Sequence, residues 1–331
     1  LNNNRKDLNP SLKKTLSYLL KAGIFILVVW YSYKLLTRND ALRDFRELIQ
    51  SVPPTTIWLT ISAVFLFMLV NWFFEALKWR YICCQFQPIR LRMAIESVLC
   101  GLSWAVFTPN RIGEYGGRVL FLRPRKRVFG VIGMLIGAVS QMVITNVLGC
   151  IAICWFVGRF MDIEGWLYAV ICLFGFIYIL FFLLLYFNIS LINRWLLKIR
   201  FLRKYKRFFD LLLRYEKKEL RKIFLYSVAR FIIFTLQYCI LIAVLLPSIP
   251  AVQMVLLIFI LFFVQSALPS LDLFDVGVRG ITASYFFGFV TDQIVAVMAI
   301  TACVWFVNLI IPAIIGSFFV FKINFFGTRD H

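Results

Sequence analysis

Six ionisable residues stand in two Pro/Gly-broken stretches of an otherwise apolar chain. The first stretch, TPNRIGEYGGR (108–118), carries Arg111, Glu114 and Arg118, and the second, LPSLDLFDVGVRG (268–280), carries Asp272, Asp275 and Arg279. Spacings of three and four put Arg111, Glu114 and Arg118 on one face if the chain is helical there. Two guanidinium groups on one face offer paired donors of the kind that suits a phosphate. Pro109 leaves exposed N–H groups after it, and Gly113, Gly116 and Gly117 remove side-chain bulk, so that a backbone or headgroup can approach closely. The same six charges, three of each sign, also suit a pairing network that ties the two stretches together. Both readings stand, and a pairing network that opens would act as a gate. The second stretch echoes the first through Pro269, Gly277, Arg279 and Gly280. Glu75, Arg80 and Arg230 form a second tier of candidates. Asn71, Glu75 and Lys78 share a helix face, where Glu75 and Lys78 are expected to pair and mark the cytoplasmic end of their span.

The surroundings give these charges their meaning. Of 331 residues, 62% are hydrophobic and 16% charged, whereas a soluble domain carries about 25% charge. The composition excludes a soluble enzyme and a disordered chain, and predicts an all-α polytopic membrane protein. In such a chain an ionisable residue at membrane depth costs about 2.5–3.5 kcal/mol, so it is a functional candidate by default. The net charge of +20 reads as basic loops beside anionic lipid, not as a nucleic-acid surface. The sole histidine is His331, which removes His-based triads and His-ligated metals. The eight cysteines form neither a zinc-type pair of CxxC motifs nor a disulfide framework. No Walker motif is present. No metal, cofactor or enzymatic activity is expected, and a homodimer is compatible with the sequence.

A spanning helix needs roughly 20 mostly apolar residues. Six stretches qualify: 15–36, 55–77, 128–157, 166–187, 223–247 and 293–320. Two shorter apolar helices, 93–107 and 251–268, run into the broken stretches, whose freed backbone groups must be buried in protein or line a wet cavity. Lys and Arg concentrate in 1–14, 78–92, 123–127 and 188–222, which the positive-inside rule puts in the cytoplasm together with both termini. Hairpin 93–122 then enters from the cytoplasm and hairpin 251–290 from outside. The expected architecture is one integral domain over 1–331. Repeat unit one is 55–157, unit two is 223–320 with inverted topology, and 188–222 is a basic interfacial helix between them.

Residues 79–122 resemble the lysylphosphatidylglycerol synthase transmembrane, or flippase-like, family. The likeness rests on a TPxRxGE pattern (Thr108, Pro109, Arg111, Gly113, Glu114) followed by Arg118, and on the upstream Trp79–Arg80 pair. The resemblance implies a bacterial inner-membrane protein that translocates lipids, often with a sugar or amino-acid headgroup, and the charges of the broken stretches make an anionic or phosphate-linked lipid the expected substrate. These 331 residues hold no soluble aminoacyltransferase region, so lysine transfer is not implied. One departure is Arg279, which sits near where the family places an acid, with Asp272 and Asp275 before it. Two other functions compete: a membrane-embedded transferase using a lipid-phosphate donor, and a non-catalytic scaffold for an envelope enzyme acting through 188–222.

Overall fold

The computed structural model describes residues 46–106, 108, 111–188, 215–267 and 272–320, with 198, 210 and 213, and only the backbone of 272–275 and 320. The expected span 15–36, the prolines Pro109 and Pro269, the side chains of Asp272 and Asp275 and most of the stretch 188–222 lie outside the described residues.

Every described element is helical, as a lipid setting requires of a chain that must satisfy its own backbone groups. The order is α1 (Pro54–Cys83), α2 (Leu91–Ala105), α3 (Ile112–Val119), α4 (Arg127–Phe160), α5 (Gly165–Phe187), α6 (Lys217–Leu245), α7 (Ala251–Ala267), α8 (Asp272–Phe287), α9 (Ile294–Trp305), a π-helical segment (Phe306–Ile310) and α10 (Ile311–Val320). Five stretches among the described residues are long and apolar enough to cross a bilayer: Pro54–Cys83, Pro124–Phe160, Gly165–Phe187, Lys217–Leu245 and Ile294–Phe319. The chain is a multi-pass membrane protein.

Local chemistry sets the ends. Proline opens α1, where a missing N–H costs nothing. A capping box between Glu216 and Glu219 opens α6. This cap corrects the expected interfacial segment: Lys217, Lys218, Arg221 and Lys222 belong to the first turns of a spanning-length helix. The expected loop 78–92 is corrected too. Helix α1 runs on to Cys83, so Lys78 is not a loop cation but a buried side chain. Tyr215 seals that end by donating to the Ile82 carbonyl at 2.9 Å.

Helix α1 lies against α6. Helix α2 packs on α3, next in the chain, and on the distant α10, while α7 packs on α8, next in the chain, and on the distant α4. Helices α3 and α4 touch, as do α8 and α9. These pairs of neighbours correspond when α1–α4 is set against α6–α10, whereas α5, which packs on α4, has no counterpart. Both long-range crossings pass through a glycine. A Cβ on Gly316 would stand 1.9 Å from the Leu99 carbonyl oxygen, and one on Gly149 would stand 2.3 Å from the Phe263 Cβ. Helix α5 is peripheral: only Gly175 and Tyr186 are buried, and Phe174 and Phe176 keep about two-thirds of their surface open, at 67% and 63%.

These crossings predict a graded series. Gly149→Ala and Gly316→Ala must displace backbone or a side-chain root, and each is expected to destabilise by about 1–3 kcal/mol. Gly165→Ala meets nothing within 4 Å and should leave the melting temperature unchanged. Thermal unfolding in detergent, followed by tryptophan fluorescence, checks the series. Equal tolerance at all three positions would contradict the close crossings.

Candidate functional site

The site is built outward from one stripe of α1. Trp72, Glu75 and Trp79 follow at spacings of three and four, so they share a face, and all three are buried. In a helix this apolar, burial of a carboxylate requires compensation by cations and hydrogen bonds.

Three cations supply it. Arg118 of α3 donates from Nη1 to Glu75 Oε1 at 2.7 Å. Arg230 of α6 donates from Nη1 to Glu75 Oε2, and from Nε to Asn71 Oδ1 at 3.0 Å. Lys78, one turn along α1, places Nζ 2.8 Å from Glu75 Oε2. The two guanidinium groups also lie against the flanking indoles. Arg230 Cζ is 5.2 Å from the Trp72 ring centre and Arg118 Cζ is 6.0 Å from that of Trp79, within the range of cation–π attraction.

Arg118 spans two carboxylates, because its Nη2 donates to Glu114 one turn earlier in α3. Glu114 is also 3.3 Å from Arg111 Nε. Arg111 precedes α3 with φ 56°, a left-handed backbone and the sole positive φ among the described residues. Such a conformation is costly for a residue with a side chain and tends to occur where function holds it.

The local sequence explains how α3 is held. Thr108 donates to the Trp104 carbonyl at 3.0 Å and accepts from the Gly113 N–H at 2.7 Å, which joins the end of α2 to the start of α3. A Cβ on Gly113 would stand 2.2 Å from the Trp104 oxygen, and one on Gly117 would stand 2.6 Å from the Gly101 Cα. Gly116 differs: its nearest neighbour would be the Trp104 ring at 3.7 Å, an ordinary contact.

These groups line a cavity of about 510 Å³. Its described lining holds five cationic side chains, Lys78, Arg111, Arg118, Arg230 and Arg279, against the two carboxylates Glu75 and Glu114. It draws on helices across the bundle, including Gln141 of α4, Gln265 of α7 and Asn308 of the π segment. Four buried donors on its lining residues, Trp72 Nε1, Trp79 Nε1, Arg118 Nε and Gln265 Nε2, have no acceptor. The arrangement gathers charged and neutral donors of the kind that suits an anion.

The expected residues divide as follows. Arg111, Glu114, Arg118, Glu75, Arg230 and Arg279 converge on the cavity. Arg80 is exposed and lies outside it. Gly113 and Gly117 set close approaches, while Gly116 does not. Gly277 lies in α8. Glu75 holds the centre, although its sequence signal was only an acid inside an apolar helix. Lys78, Trp72, Gln141 and Asn308 were not singled out as site residues. The three-residue step from Glu75 to Lys78 was the legible sign for the lysine, and Trp72 carried none. The chain matches no family model, no curated protein and no solved structure.

The cluster predicts strong coupling. Glu75→Gln leaves three cations around a neutral amide and is expected to destabilise by about 3–5 kcal/mol. Adding Arg230→Gln should recover part of that loss, with a coupling of about 0.5–3 kcal/mol. Melting curves of the two single variants and the double variant measure it, and additive losses would rule out a shared network.

Proposed function

We propose that the chain is a lipid translocator that takes the phosphate-bearing headgroup of an anionic lipid into the central cavity while the acyl or polyprenyl tail stays in the bilayer. The observation that carries this reading is a cluster of guanidinium and indole donors around the cavity, inside an apolar bundle, in which Arg118 Nε, Trp72 Nε1 and Trp79 Nε1 have no acceptor. A pairing network alone would satisfy its own buried donors, and donors left over favour an acceptor-rich anion as the missing partner.

The corresponding pairs of neighbours support an inverted-topology repeat, with α1–α4 and α6–α10 as its units and two re-entrant hairpins, α2–α3 and α7–α8. Glu75 and Arg118 belong to one unit and Arg230 to the other. An incoming phosphate competes with Glu75 for both guanidinium groups. The exchange of partners loosens one unit from the other and allows them to rock. This mechanism moves the lipid without changing it chemically. The TPxRxGE resemblance points the same way and adds a bacterial inner membrane, and the basic loops favour cytoplasmic termini.

Reconstituted vesicles test the proposal. A tail-labelled fluorescent phosphatidylglycerol is made accessible to an external quencher only by crossing the bilayer. Wild-type protein should speed that exposure over empty vesicles. Arg118→Lys keeps the charge but loses the two-pronged donor, and the rate should fall on the order of tenfold. Arg80→Gln, outside the cavity, should match wild type. Wild-type vesicles no faster than empty ones would refute translocation of this lipid. Equal rates for wild type and Arg118→Lys would remove Arg118 from the path.

A further inference from the structure

The last spanning stretch, Ile294–Phe319, is not one uniform helix. Between α9 and α10 the ladder is interrupted at the π segment Phe306–Ile310, where the Ile311 N–H bonds to the Phe306 carbonyl, five residues back. Pro312 follows, and it has no N–H to return to the Asn308 carbonyl. Sharp bends in long helices fall at prolines and at π-helical turns, and here the two stand side by side.

This joint separates two packing groups. Helix α9 lies against α8 and α6. Among the described residues, the extensive contact of α10 outside its own stretch is with α2. That contact is backbone on backbone at Gly316 and Leu99, and Ser103 of α2 donates to the Ala313 carbonyl at 2.6 Å. Helix α2 is joined in the same way to α3 through Gly101 and Gly117. Helices α10, α2 and α3 therefore hold together, and α3 carries Arg118. On the near side of the joint, Asn308 donates to Gln237 Oε1 at 3.0 Å and Gln237 donates to the Val64 carbonyl at 2.9 Å. These buried bonds pin the π segment to α6 and α1.

Helix α10 thus follows α9 in sequence but packs with the first hairpin. When the two units rock, α10 must either slide on α2 or bend away from α9. Backbone contact at Gly316 blocks the slide, because a Cβ-sized displacement already meets the Leu99 carbonyl. We propose that 306–312 is the hinge of the motion, and that α2, α3 and α10 swing on it as one body. The swing draws Arg118 from Glu75, while Arg230 and Lys78 stay with the carboxylate on the pinned side. The inference rests on the translocation reading above and names its moving part.

Hydrogen–deuterium exchange of the full chain in nanodiscs, together with the vesicle assay with labelled phosphatidylglycerol, tests the hinge. Amides of 306–311 should exchange about tenfold or more faster than those of 296–301 in α9 and 314–318 in α10. Pro312→Ala returns the missing N–H. Exchange over 306–311 and the translocation rate should then both fall on the order of tenfold, the worth of one restored hydrogen bond. Its melting temperature should hold or rise, and phosphatidylglycerol binding should be unchanged. Ile314→Ala, on the exposed side of α10, should match wild type in both readouts. Uniformly slow exchange across 296–318 in wild type would overturn the hinge, whatever the stability of Pro312→Ala. A folded Pro312→Ala that translocates at the wild-type rate would also overturn it and leave the translocator standing. Wild-type vesicles no faster than empty ones, with exchange still concentrated at 306–311, would overturn the lipid reading alone.

Discussion

A carboxylate buried in an apolar bundle must be matched by cations close at hand, and Glu75 is such a carboxylate. Its two oxygens receive Arg118, Arg230 and Lys78, and those partners come from three different helices, α3, α6 and α1 itself. The requirement therefore reaches far beyond one residue. It fixes the hairpin against α1 and α1 against α6, and it leaves a polar chamber where their faces meet. Because Arg118 Nε and the flanking indole N–H groups of that cluster have no acceptor, the groups that hold the helices also favour an anion.

Close packing makes this geometry possible. Arg118 reaches Glu75 only because α3 lies almost backbone to backbone on α2, through Gly117 over Gly101. Helices distant in sequence grip each other through two glycine crossings, α4 on α7 at Gly149 and α10 on α2 at Gly316. In a bilayer, where apolar contact alone gives helices little reason to associate, small residues at crossings and polar contacts between helices carry the assembly. The amide chain from Val64 through Gln237 to Asn308 is a second polar tie, and it runs through a π-helical segment, a distortion often found at functional sites.

Helix positions were readable from hydropathy because lipid punishes every other backbone arrangement. The spans 55–77, 166–187 and 223–247 fell close to α1, α5 and α6. Hairpin charges were readable as well, since an Arg or Glu in such a stretch needs a reason. What the sequence hid was depth and partnership. Lys78 was expected to pair with Glu75, as it does, yet α1 was read nearly two turns short of its end, and the burial of that pair is a tertiary fact. Glu75 ranked behind the hairpin charges for the same reason: its importance comes from Arg230, 155 residues away in sequence.

The central claim is that the chamber around Glu75 receives a lipid phosphate. Cryo-electron microscopy of the full chain in phosphatidylglycerol nanodiscs tests it most directly. The account predicts headgroup density between Arg118 and Arg230, with at least one guanidinium turned from Glu75 toward the phosphate. A chamber without headgroup density, with all three cations still on Glu75, would contradict it and reduce the cluster to a structural pairing network.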